Sequence, residues 1–131
     1  MVTLLVDMER QLTAADLDER LAACWEVFDL GLRLADEVAW QDGVDAASAL
    51  AAGAACAAGR DLLPLPAGGS PAALEAADAE AVARALDRAA TVLDAAARDA
   101  QDPSQVVALH TAATHARDAA GCLRAMASEP Q

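Results

Sequence analysis

The apolar residues of this chain are mostly alanine, and this constrains its fold more than any motif does. Hydrophobic residues occupy 56% of the 131 positions, yet there are only one Phe, two Trp and no Tyr. Alanine is the best helix former because it loses no side-chain entropy, whereas strands favour the β-branched and aromatic residues that are scarce here. We therefore predict an all-α fold, and the length indicates a single domain over residues 1–131.

Turn and capping signals divide the chain into four main helices of an antiparallel bundle. The predicted ranges are about 13–41, 44–59, 71–100 and 103–127 for the helices and 60–70 for a loop. Thr13 is the expected N-cap of the first helix, and Ser70 and Pro71 are the expected N-cap and first residue of the third. Residues 2–12 fit either a short extra N-terminal helix or an extended segment.

The helix predicted over 44–59 carries no charge on any face. Its sequence "AASALAAGAACAA" would have to be covered all round, which places it at the centre of the bundle or at a subunit interface. Gly59 is the expected residue just past its end. Together with the broad apolar surface of the first helix, this pattern predicts a homodimer.

The last two helices form a predicted hairpin with complementary charges. Asp102 and Pro103 provide the N-cap and first position of the fourth helix, so the connection is short and the helices are antiparallel neighbours. Residues seven apart form two stripes, the acidic one of Glu80, Asp87 and Asp94 and the basic one of His110, Arg117 and Arg124. We expect the two stripes to pair across the seam and to fix its register.

The charge balance excludes some partners and favours others. The formal net charge is −12, and every basic residue is Arg, a usage typical of a high-GC genome. Such an acidic surface repels phosphate groups, so we expect neither nucleic acid nor an anionic membrane as a partner. A basic protein partner fits this charge.

Cysteine usage and the N-terminal segment indicate a cytoplasmic protein. Cys24, Cys56 and Cys122 are odd in number and widely spaced, which predicts free thiols in a reducing compartment. The N-terminal segment has neither a basic leader nor a small-residue cleavage site, so no signal peptide is predicted. No stretch is apolar and long enough for a membrane span.

Both histidines lie in the segment "HTAATHARDAAGC", but they face different sides of one helix. His110 and His115 are about 140° apart at 3.6 residues per turn, so they cannot bind one metal ion. Asp118 and Cys122 share a face with His115, but Cys122 is roughly 10 Å from it along the axis, too far for a nucleophile and its base. We predict a solvated outer face for these three and expect no metal and no cofactor.

An acidic four-helix bundle with an exposed histidine resembles histidine phosphotransfer domains. That family has Lys at +3 and Gly at +4 from the phosphorylated histidine. From His110 these positions are Ala113 and Thr114, and from His115 they are Asp118 and Ala119. The resemblance covers about a dozen residues and lacks this functional pair, so phosphotransfer stays a minor alternative.

The sequence thus predicts a non-enzymatic helical bundle that acts through protein–protein interaction, as an adaptor, regulatory or accessory protein. The candidate binding residues are His110, Arg117, Arg124, Trp25 and Phe28. One alternative is a small apolar ligand held between the helices, in a void lined by Trp25, Phe28, Leu50 and Cys56. A further alternative is a cofactor-free enzyme that uses His110 or His115 beside an acid of another helix.

Overall fold

A computed structural model of the chain describes residues 2–64 and 78–127, and these ranges contain helices and no strand. The helices are α1 (Val2–Leu12), α2 (Leu17–Val38), α3 (Ala46–Arg60), α4 (Ala79–Asp99) and α5 (Pro103–Ala127). The all-α prediction is confirmed. No helix within the described ranges is long and apolar enough to cross a membrane.

Helices α2 to α5 pack as a four-helix bundle with α1 on its outside. Helix α3 packs between α2 and α5, and α4 packs between the same two helices on the other side. Helices α2 and α5 are therefore diagonal to each other and touch little. Helix α1 lies across α2 and α4, where Arg88 forms an ion pair with Glu9 at 3.3 Å.

Individual contacts give the helix directions. Asp45 at the start of α3 donates its backbone N–H to the carbonyl of Met126 at the end of α5, at 3.1 Å. Arg124 near that end of α5 contacts Glu80 in the first turn of α4. Helices α3 and α4 thus begin at the same end of the bundle. Consequently Arg60 and Ala79, which the connection between α3 and α4 joins, lie at opposite ends.

The core depends on close approach of helices that carry small side chains. A Cβ added to Gly59 would lie 2.4 Å from the ring of Phe28, and one added to Gly31 would lie 2.6 Å from Cys56 Sγ. Phe28 and Cys56 are completely buried. The two glycines therefore let α2 and α3 approach each other closely, one in each helix.

Several predicted helix ends are confirmed, and others are wrong. Residues 2–12 form a helix rather than an extended segment. The N-cap of α2 is Asp16, which accepts the N–H of Asp18, and not Thr13, whose hydroxyl donates back to the carbonyl of Arg10. Thr13 and Asp16 are both suitable N-cap residues. Thr13 is used at the end of α1, where it bonds to Arg10, so α2 starts after Asp16.

Of the remaining predicted helix ends, some agree with the structure and others do not. Helix α3 begins after the N-cap Asp45 and includes Gly59, which was predicted to lie past its end. The N-cap Asp102 accepts the N–H of Ser104 at 3.1 Å, so α5 starts as predicted. The predicted start of the third helix, at Ser70, lies outside the described residues.

Helix α3 lies at a corner of the bundle, not at its centre. Ala49, Ala52, Gly53, Cys56 and Gly59 are buried against α2 and α5. The opposite face is open in the described part of the chain, where α3 packs against α2 and α5. Of the two predicted positions for this uncharged helix, the central one is wrong, and the subunit interface stays a prediction.

We predict opposite effects of alanine at two glycines. Gly59→Ala should lower the free energy of unfolding by about 1–3 kcal/mol, because the new methyl group overlaps the buried Phe28 ring. Gly121→Ala is the control, since a Cβ there meets nothing within 4 Å. It should raise stability by up to about 1 kcal/mol through helix propensity. Urea denaturation measures both, and equal effects at the two sites would contradict the close approach.

Candidate protein-interaction surface

The predicted charge stripes of α4 and α5 pair as an ion-pair ladder. Asp94 contacts both His110, with Nδ1 2.8 Å from Oδ1, and Arg117, through Nη2 and Oδ2. Arg124 contacts Glu80 through Nε at 3.0 Å and Asp87 through Nη1 at 2.9 Å. The prediction of pairing across the seam is confirmed. Neighbouring members of each stripe are seven residues apart, so successive contacts lie about two helical turns from one another along the seam.

The contacts of the ladder shift the pKa values of two of its members, Asp94 and Arg124. Partial burial alone would raise the pKa of Asp94, but hydrogen bonds from Arg117 and His110, together with their charges, bring it below its usual value. Hydrogen bonds to Glu80 and Asp87 raise the pKa of Arg124. Because an ionised carboxylate can only accept, His110 donates its Nδ1–H to Asp94.

These contacts assign a structural task to three of the predicted binding residues. His110, Arg117 and Arg124 hold α5 against α4 by contacts with acids of the same chain. A phosphoryl group on His110 would come close to the Asp94 carboxylate, which counts against the phosphotransfer alternative. Their role in binding another molecule stays a prediction.

We predict that the ladder makes stability depend on pH in the acid range. The pKa of Asp94 is lower in the folded protein than in the unfolded chain. Its contribution is therefore complete above the unfolded pKa of about 4 and is lost as the pH falls through the folded pKa. Asp94→Asn should cost about 1 kcal/mol at pH 7.

The measurement is urea denaturation of the wild type and Asp94→Asn between pH 7 and pH 2. The difference in free energy of unfolding should shrink below about pH 4. Asp99→Asn makes the same change in charge at an exposed position of α4 that is outside the ladder. A difference for Asp94→Asn that is the same at every pH would contradict this assignment.

The second face of the histidine segment is partly covered rather than solvated. His115 and Cys122 are half-buried, and only Asp118 of the three is exposed. Cys122 packs against the core at the contact between α5 and α3. The sequence did not predict that these two helices are neighbours. Among the described residues, no group of three or more His, Cys, Asp or Glu could hold a metal ion.

Trp25 and Phe28 have different surroundings. Phe28 is buried against Gly59. The Trp25 ring is partly buried, and the guanidinium of Arg60 lies 5.5 Å from its centroid. Arg60 also donates to Asp29 at 2.8 Å. Trp25, Asp29 and Arg60 therefore form a trio that ties α2 to the end of α3.

The residues predicted to line an apolar void do not surround a common space. Phe28 and Cys56 face glycines at close distance, whereas the Leu50 side chain is 56% exposed. This packing counts against a ligand held among these residues.

The open face of α3 is an uncharged apolar surface. We call its exposed side chains, those of Ala47, Leu50, Ala51 and Ala54, the α3 ridge. One groove beside it, of about 710 Å³, lies against α5 and is lined by Gly121 and Cys122 among others. Another, of about 230 Å³, lies against α2 and is lined by Leu32 and Asp36 among others. The α3 ridge thus stands between two shallow grooves.

The sequence did not identify Trp40 as a surface residue. Its side chain is 81% exposed, the highest value for a large hydrophobic residue in the described ranges. Trp40 follows Val38, which continues the apolar stripe of α2, and precedes the turn at Asp42 and Gly43. Its position between the end of the stripe and the turn was the one sequence signal that indicated exposure.

The three cysteines differ in burial. Burial raises the pKa of Cys24 to about 12, against a smaller lowering by the charge of Arg20. Burial likewise raises the pKa of Cys56 to about 12. Cys122 is partly exposed in the groove beside α3.

We predict that one thiol of three reacts with Ellman's reagent in the native protein at pH 8. A thiol with a pKa of about 12 is ionised in only about one molecule in ten thousand at that pH, and the thiolate is the nucleophile. All three should react in denaturant. The Cys122→Ser variant should lose the fast reaction, and its persistence would contradict this order.

Comparison of the chain with protein-family models, curated proteins and solved structures finds no match. A proposal for the function therefore rests on the surface chemistry of the described residues.

Proposed function

We propose that this protein is a non-enzymatic binding protein that acts through protein–protein interaction, and that the α3 ridge is its main contact surface. The observation that carries the proposal is an exposed helix face without charge on a chain of net charge −12. The occupant we propose is a second copy of the chain, so that the working unit is a homodimer.

The α3 ridge is the surface at which the charges of two copies oppose association least. Two chains of net charge −12 repel each other, and burying unpaired carboxylates between them would be costly. From Ala46 to Gly59 there is no charged residue. Two α3 ridges can therefore meet while the carboxylates of both chains keep their contact with water.

The shape of the surface also favours a helical partner. Alanine side chains allow another backbone to approach closely, and Leu50 projects from the middle of the α3 ridge. A Leu50 side chain would enter one of the grooves beside the ridge of the other copy. In an isologous pair each copy makes this contact once, so the same residues serve as knob and as groove.

We predict that Leu50→Glu converts the dimer to a monomer. Leu50 is exposed, so the substitution leaves the fold intact but puts an unpaired charge in the contact. The dimer dissociation constant should rise at least about a hundredfold. Sedimentation equilibrium over a range of protein concentrations measures it.

The matched control is Val6→Glu on α1. Val6 is also about half exposed, at 48%, and α1 packs on α2 and α4, away from the α3 ridge. This variant should associate like the wild type. A wild-type protein that sediments as a monomer at every concentration would remove the second copy from the proposal.

A further inference from the structure

We propose that Trp40 and Asp36 form a binding site for an arginine side chain of a basic partner protein, with the exposed Asp42 two residues further along the chain. The inference rests on the proposed function, since it names the class of partner that the protein engages. It concerns the end of the bundle where α2 stops, next to the α3 ridge, because Asp36 also lines the groove between α2 and α3.

Trp40 has no packing task in the described part of the chain. The residue is 81% exposed although indole is one of the largest apolar side chains. Exposed tryptophans of this kind are typical anchors of protein contacts, because a partner gains a large apolar area from one rigid side chain.

Trp40 is held on a fixed support. The backbone turn continues past the end of α2, because Ala39 donates to the carbonyl of Ala35 and Gln41 to that of Val38, both at 3.0 Å. Trp40 therefore stands about one helical turn beyond Asp36. The start of α3 is joined to α5 by the bond from Asp45 to Met126, which fixes the other end of this connection.

The sequence that flanks Trp40 after Arg33 is acidic. From residue 34 to residue 59 the chain has four acids, Asp36, Glu37, Asp42 and Asp45, and no basic residue. In the part of the chain that the structure describes, neither Asp36 nor Trp40 has a basic partner. The charge of this end of α2 therefore complements a cation.

The other half of α2 shows what such a pair binds. Trp25 and Asp29 are four residues apart, and Arg60 contacts both, with its guanidinium 5.5 Å from the indole centroid and 2.8 Å from the carboxylate. Asp36 and Trp40 repeat the same two side chains at the same spacing, in reverse order. Within the described residues, Arg60 contacts the first pair, and no arginine is seen in contact with the second.

Arginine fits the second pair better than lysine does. Its planar guanidinium stacks on an indole face and at the same time donates hydrogen bonds to a carboxylate, whereas an ammonium group is a compact, strongly hydrated charge.

The test titrates the full-length protein with an acetylated and amidated hexa-arginine peptide. Two-dimensional NMR of the ¹⁵N-labelled protein gives two indole N–H signals, and Trp40→Phe assigns them. The peptide should shift the Trp40 signal and leave that of Trp25 in place. A hexa-lysine peptide of equal charge should bind more weakly.

Substitutions separate a specific site from general attraction between opposite charges. Trp40→Ala should weaken hexa-arginine binding about 3- to 10-fold, and Asp36→Asn with Asp42→Asn should weaken it by a similar factor. The control pair, Asp61→Asn with Asp99→Asn, makes the same charge change at exposed positions at the other end of the bundle. It should change binding less than about 2-fold.

In the titrations, three results would overturn the inference. They are no binding of hexa-arginine, equal losses of binding affinity in the site and control pairs, and a shift of the Trp25 signal equal to that of Trp40. Sedimentation of Trp40→Ala separates this inference from the proposed dimer. If the variant still dimerises but loses peptide affinity, the arginine site stands apart from the α3 ridge. If it becomes a monomer, Trp40 belongs to the contact between copies and the inference fails.

Discussion

The close approach of α2 and α3 is the contact on which the rest of the bundle depends. Alanine-rich helices bury little apolar area per residue, so they gain cohesion only when their axes come near enough for many atoms to touch. Gly59 under the Phe28 ring and Gly31 against Cys56 permit that distance. Once α3 is seated there, its remaining sides are fixed, with one against α5 and one facing solvent.

Much of the fold is predictable because it follows from spacing along single helices. The stripes of α4 and α5 repeat every seven residues, so their pairing could be expected before any coordinates were known. The residues at the edge of the core, such as His110, follow from the same periodicity. The N-cap of α2 was harder, because Thr13 and Asp16 both have the right chemistry and only the end of α1 decides between them.

The position of α3 and the exposure of Trp40 could not be predicted in this way. An uncharged alanine helix looks the same whether it is central or at a corner, because its own residues do not say how many neighbours it has. For the same reason the half-burial of Cys122 was missed, since it is caused by α3 and not by α5. The exposure of Trp40 depends on where the connection after α2 leads.

The chain topology implies an order of assembly. Helices α4 and α5 are joined by three residues, 100–102, so closing that hairpin restricts little of the chain, and the ladder selects its register at once. Pairing α3 with α5 must instead bring together residues as far apart in sequence as Asp45 and Met126. Contacts of such long sequence separation are slow to form. Joining α3 to α5 is therefore slower than closing the α4–α5 hairpin, and until it happens the side of α3 that faces α5 is exposed.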